Sequence, residues 1–129
     1  MSITRRLTIG LILVLLTGCA TLSSVRAERG NGISRVFDAS FEVVWDKTVK
    51  ATNMLGLGIA ESNQQQGYML AETGISPFSW GEKVAVFIEG IDADHTKVEV
   101  VSRKVMTTNV FAYSWQNRIL NKVEELLRQ

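Results

Sequence analysis

Two residues that occur once each, Cys19 and His95, and a scatter of carboxylates are the side chains that could do chemistry here. A thiol acts as a nucleophile only as its thiolate, helped by a nearby base. His95 lies far along the chain and offers Cys19 no evident base. His95 itself stands next to Asp92 and Asp94. That trio could hold a cation weakly, or it could be a solvated turn in which Asp accepts backbone N–H bonds. It lacks the further oxygen ligands and the bidentate Glu of a calcium loop. Glu61, Glu72 and Glu89 could share a sheet and pair for acid–base work. In the same places they could simply stay solvated and discourage edge pairing. Any Ser-His-Asp or Cys-His arrangement would have to use His95, and no nucleophile elbow accompanies it. Gly56 and Gly58 lack the spacing of a phosphate loop. The expectation is a chain with no catalytic residue, no metal and no cofactor, hence not an enzyme.

The elements that position these residues start with composition. At 129 residues, 46% hydrophobic and 21% charged, the chain reads as one folded domain with an N-terminal addition. Lys and Arg number 14 against 13 Asp and Glu, a formal charge of +1. That balance carries no basic footprint, so no nucleic-acid partner is expected. A single Cys excludes an internal disulfide.

Residues 1–18 read as a leader. Arg5 and Arg6 precede an apolar run from Leu7 to Leu16. The run, about 10 residues long, is too short to cross a hydrocarbon layer of roughly 30 Å, and it suits the h-region of a signal peptide. It closes in Leu16-Thr17-Gly18-Cys19-Ala20. Residues 20–32 are small, polar and Gly-punctuated, and are expected to form a flexible tether spanning on the order of 20 Å r.m.s.. Loss of Arg5 and Arg6 with the leader would lower Lys and Arg from 14 to 12 against 13 acids, so lipid charge is not the expected tether.

The domain proper is expected at 33–129. Ile33 to Phe37 alternates as a short strand. Asp38 or Ser40 suits the N-cap of a helix carrying Phe41, Val44, Trp45, Thr48, Val49, Thr52 and Leu55 at steps of three and four, ended by Gly56. Strands are predicted over 57–63, 68–73, 82–91 and 96–105, joined by turns at 64–67 and 92–95. A last helix over 111–128 places Trp115, Ile119, Val123 and Leu126 on one stripe. The order β-α-β-β-β-β-α predicts an α+β, two-layer sandwich, an antiparallel sheet covered on one face by two helices. The loop at 74–81 carries Ile75, Phe78 and Trp80 where most loops are polar. These side chains are candidate partner-binding anchors, or a small cluster folded over a sheet edge. The strip Thr107 to Phe111 with Tyr113 is a second candidate. Trp45 and Trp115 read as core.

Leu16-Thr17-Gly18-Cys19 resembles the lipobox of bacterial lipoproteins. The resemblance implies diacylglyceryl transfer to the Cys19 thiol, cleavage between Gly18 and Cys19, and acylation of the new N-terminus. Several acyl chains, at about 0.8 kcal/mol per buried CH₂, make a stable anchor. Ala20 follows the Cys where an Asp would favour the inner membrane. The expected location is therefore the periplasmic face of the outer membrane, with the inner membrane as the alternative. The strand-to-helix opening Phe37-Asp38-Ala39-Ser40-Phe41-Glu42-Val43-Val44-Trp45, the meander and the long last helix resemble the helix-grip family. With a lipobox they are similar to the lipid-anchored helix-grip domains of the outer-membrane protein assembly lipoprotein. The functional expectation is a non-enzymatic, membrane-tethered interaction domain with an envelope protein as partner, an accessory to an envelope complex. The alternative is a carrier holding an apolar ligand such as a lipid between sheet and last helix.

Overall fold

A computed structural model describes residues 27–74, 81–104 and 115–129 of the chain. The elements run β1 (Ile33–Phe37), α1 (Phe41–Met54), β2 (Gly58–Asn63), β3 (Tyr68–Glu72), β4 (Glu82–Asp92), β5 (His95–Lys104) and α2 (Trp115–Leu127). This is the predicted order, with strand ends moved by a residue. Residues 111–114, expected in the last helix, lie outside the described residues.

Local chemistry explains the ends of α1. Ser40, not Asp38, is the N-cap, and its side chain accepts a bond from the Val43 N–H at 3.4 Å. At the other end Gly56 takes φ +82, with its N–H on the Asn53 carbonyl and the Leu57 N–H on the Thr52 carbonyl. That pair of bonds is a Schellman cap, and Leu57 is buried beside it. Thr48 and Thr52 face the core because each hydroxyl donates to the carbonyl four residues back, at 2.7 and 2.8 Å.

The sheet is antiparallel with order β1-β5-β4-β3-β2, so β1 and β2 are its edges. Both helices cover one face. Val84, Val86 and Ile88 of β4, Val98 and Val100 of β5, and Met69 and Ala71 of β3 meet Val44, Trp45 and Ala51 of α1 and Ile119, Leu120, Val123 and Leu126 of α2 in one core. The turn before β3 crowds β4. The Gly67 carbonyl accepts from the Ile88 N–H at 2.7 Å, and a Cβ on Gly67 would run into the Ile88 carbonyl. At φ +71 the position suits glycine on both counts.

The face away from the helices is not a plain solvated surface. Tyr68, Leu70, Ala85, Phe87 and Val101 form a second buried cluster there. β3 is consequently buried on both faces, from Tyr68 through Ala71.

Candidate functional site

The helix-free face carries a contact that sequence periodicity does not announce. Glu99 points from β5 onto this face and is only 6% exposed. Its carboxylate accepts the Gly30 N–H at 2.8 and 3.0 Å and the Gly32 N–H at 3.0 Å. The chain before β1 has crossed over β5 to reach it. Gly32 permits that crossing, since a Cβ there would meet the Val100 carbonyl and sit 2.8 Å from the Val101 side chain. Gly30 supplies the positive φ of +98 that turns its N–H toward the carboxylate. Two further contacts pin the turn: the Arg29 guanidinium lies 5.0 Å over the Phe87 ring, and Arg103 pairs with Glu28 at 3.0 Å. Residues 28–32, expected to belong to a flexible tether, are therefore seated on the domain. The physical reason is a buried carboxylate that needs donors and finds them in backbone amides.

The two sheet edges differ. β2 bulges between Ile59 and Glu61, and Glu61 accepts the Tyr68 hydroxyl at 2.6 Å. A bulge and a charge are the usual protections of an edge. β1 has no bulge, and its one charge, Arg35, is drawn onto α2. It pairs with β5 in unbroken register, and Ile33 and Val36 are 40% and 50% exposed. Arg35 reaches from β1 to Asn121 at 3.0 Å and Glu124 at 3.4 Å, which ties this edge to α2.

The carboxylates proposed as partners for one another each have a different partner. Glu61 is held by Tyr68, Glu72 pairs with Lys83, and Glu89 lies 3.9 Å from Lys97. The buried Glu82 accepts the Ser102 hydroxyl at 2.6 Å, while its N–H donates to Thr73 Oγ1. None of these is the close carboxylate pair that acid–base chemistry would use.

His95 opens β5 rather than sitting inside a loop. Its Nδ1 lies 2.8 and 2.9 Å from the two Asp92 oxygens, and its Nε2 lies 3.5 Å from Asp38 Oδ1. The Asp92 carboxylate, by hydrogen bond and then by charge, raises the imidazole pKa above its ordinary value. Asp92 is lowered, first by the Asp94 N–H and then by His95. Both ring nitrogens thus face carboxylates, Asp92 at hydrogen-bond distance and Asp38 farther off. Asp94 contributes its backbone N–H to Asp92 at 2.8 Å, so the trio is a turn organised around the Asp92 carboxylate. Among the described residues no group of three potential metal ligands occurs, and no helix is long and apolar enough to cross a membrane.

Leu16, Thr17, Gly18, Cys19, Ile75, Phe78, Trp80 and the strip 107–113 lie outside the described residues. Trp45 is buried and stacks on Phe41 at 6.1 Å, and Trp115 packs against the core under Arg118. One signal of the second cluster is visible in the chain. Tyr68-Met69-Leu70-Ala71 is an unbroken apolar run, the mark of a strand covered on both faces. Neither a protein-family model nor a curated protein matches the chain.

Proposed function

We propose that this chain is a non-enzymatic, lipid-anchored interaction domain at the periplasmic face of the bacterial outer membrane. It docks an extended segment of an envelope protein along β1. The leader and Cys19 support the anchor, through the lipobox resemblance. The observation that carries the docking reading is the contrast between the edges, since β2 is bulged and carries Glu61 while β1 runs in unbroken register, has its one charge, Arg35, drawn onto α2, and exposes Ile33 and Val36. Added strands take affinity from backbone bonds and specificity from alternate side chains, and an unguarded edge offers both. Ile33 and Val36 fall on opposite faces of the sheet, so an apolar residue on each side of the incoming strand would be matched. Arg35 holds the platform still through α2, which lowers the ordering cost of binding.

The carrier reading needs room between sheet and α2. There Ile119, Leu120, Val123, Val84, Val86, Val98 and Val100 are all fully buried in one cluster. A drug-sized ligand asks for roughly 300 Å³ or more, which such packing does not leave. The interaction reading therefore stands first.

The test is a photo-crosslinking amino acid placed at Val36, and at Asn53 on α1 as the control, in the full-length protein in cells. A discrete adduct with one envelope protein from position 36 and none from 53 is expected. Val36→Lys on the unlabelled chain should compete poorly for that partner, while changing stability by no more than about 0.5 kcal/mol as an exposed substitution. Matching adducts from both positions would overturn the edge reading.

A further inference from the structure

We infer that the segment docked on β1 carries a carboxylate on its helix side, received by Arg35 at the middle of the strand. The inference rests on the edge-docking reading above, and adds the chemistry and the register of the partner. Side chains of β1 alternate across the sheet. Phe37 enters the core under the helices, so Ile33 and Arg35 share that side, while Ser34 and Val36 lie on the other. Arg35 is therefore the central residue of the strand on the side that α2 covers, and its side chain is 32% exposed.

The guanidinium of Arg35 is only partly used. Such a group carries its N–H donors on three nitrogens in a planar fork. Nη1 reaches the Asn121 amide oxygen at 3.0 Å and Glu124 at 3.4 Å, and among the described residues Nε and Nη2 bond to nothing. Asn121 brings no charge. Glu124 is shared, since Arg128 lies 3.3 Å from its other oxygen. Two guanidiniums thus divide one carboxylate beside the edge, and part of the surplus positive charge sits on the edge strand itself.

A residue directly opposite Arg35 on an added strand falls on the same side of the sheet, with Cβ atoms about 5 Å apart. A carboxylate there comes within reach of the unused donors, and a planar fork on a carboxylate is the contact arginine makes most strongly. Position matters. Past Phe37 the same carboxylate would meet Asp38, Asp92 and Asp94, three acids around the one imidazole of His95. That end repels an acid and so sets the register. On the other side of the sheet Val36 pairs with Lys97, whose charge Glu89 answers at 3.9 Å, so the residues flanking the carboxylate are apolar ones that match Val36. A second copy is a poor occupant, because full overlap of two antiparallel β1 strands sets Arg35 against Arg35. The occupant is an extended segment of another protein with an acidic residue between two apolar ones.

The experiment titrates the full-length, isotope-labelled protein in detergent with capped peptides and follows the backbone amides of residues 33–37 by NMR. The probes are Ser-Thr-Val-Glu-Val-Thr-Ser and the same peptide with Gln or Lys in place of Glu. Each should shift those amides. The Glu peptide should bind about three-fold tighter than the Gln peptide and about ten-fold tighter than the Lys peptide, with the differences shrinking in about 0.5 M salt. Arg35→Gln should level the series. Glu124→Gln, which leaves β1 unchanged and removes the carboxylate Arg35 now shares, should tighten the Glu peptide about two-fold and leave the Gln peptide as it was. Equal affinities at β1, a preference for Lys, or a Glu preference that persists in Arg35→Gln overturns the carboxylate and leaves the edge reading intact. Shifts confined to other strands, or none with any peptide, overturn the edge reading and this inference with it.

Discussion

Replacing Glu99 by Gln tests whether a buried carboxylate holds residues 28–32 against the sheet in solution. The side chain keeps its shape, and one amide oxygen at the Oε2 position could still accept both Gly30 and Gly32 N–H groups, now 2.8 and 3.0 Å away. What is lost is charge. A hydrogen bond to a charged group contributes about 1.5–3 kcal/mol and a neutral one about 0.5–1.5, so two donors forfeit about 2 kcal/mol together. A carboxylate costs more to bury than an amide, which offsets part of that loss. The net destabilisation is therefore about 1–2 kcal/mol. In a domain of this size that lowers Tm by roughly 5–12 °C. The assay is thermal unfolding of the mature chain carrying Cys19→Ser, alongside amide exchange at Gly30 and Gly32. Arg103→Gln, which removes the exposed pair with Glu28, serves as the control and should cost no more than about 1 kcal/mol. An unchanged Tm for Glu99→Gln, with Gly30 and Gly32 exchanging as fast in the parent as in the variant, would refute the reasoning.

Gly67→Ala should cost about 3 kcal/mol. It sums the penalty of a non-glycine residue at φ +71 with a Cβ driven into the Ile88 carbonyl, and urea denaturation should show the loss without a change in slope. His95 gives a pH signature. Its folded pKa is raised above the ordinary 6.5, so its contribution to stability is complete below that value and is lost as pH rises through the folded value. Asp92 is lowered from 3.8, so its share is present above that value and is lost as pH falls through the depressed one. The Tm difference between the parent and His95→Gln should therefore be largest near pH 5–6 and shrink towards pH 9. A difference independent of pH would contradict the link to Asp92.

The parts of the fold that could be read in advance are those encoded within a few residues. Ser40 and Gly56 end α1 through bonds to residues three to five positions away, and the alternation of Val84, Val86 and Ile88 sorts β4 by face without reference to any other strand. The parts that could not be read depend on distant partners. Glu99 meets Gly30 and Gly32 across 69 and 67 positions, and in isolation the glycines look like any flexible linker. The same holds for Arg29 on Phe87. His95 between Asp92 and Asp38 was half legible: the hairpin neighbour is local, whereas Asp38 arrives only through pairing of β1 with β5. The difference between the edges also follows from pairing, because the bulge at Ala60 exists only relative to β3.

The most direct test of the central claim is native mass spectrometry of the mature protein gently extracted from its own membranes. The account predicts a chain beginning at Cys19, carrying acyl mass, that co-elutes with an envelope protein, and that loses this partner in Val36→Lys. An unacylated chain still beginning at Met1 would contradict it. So would a stoichiometric small apolar adduct that survives removal of the anchor while no protein partner appears, since that is the behaviour of a carrier.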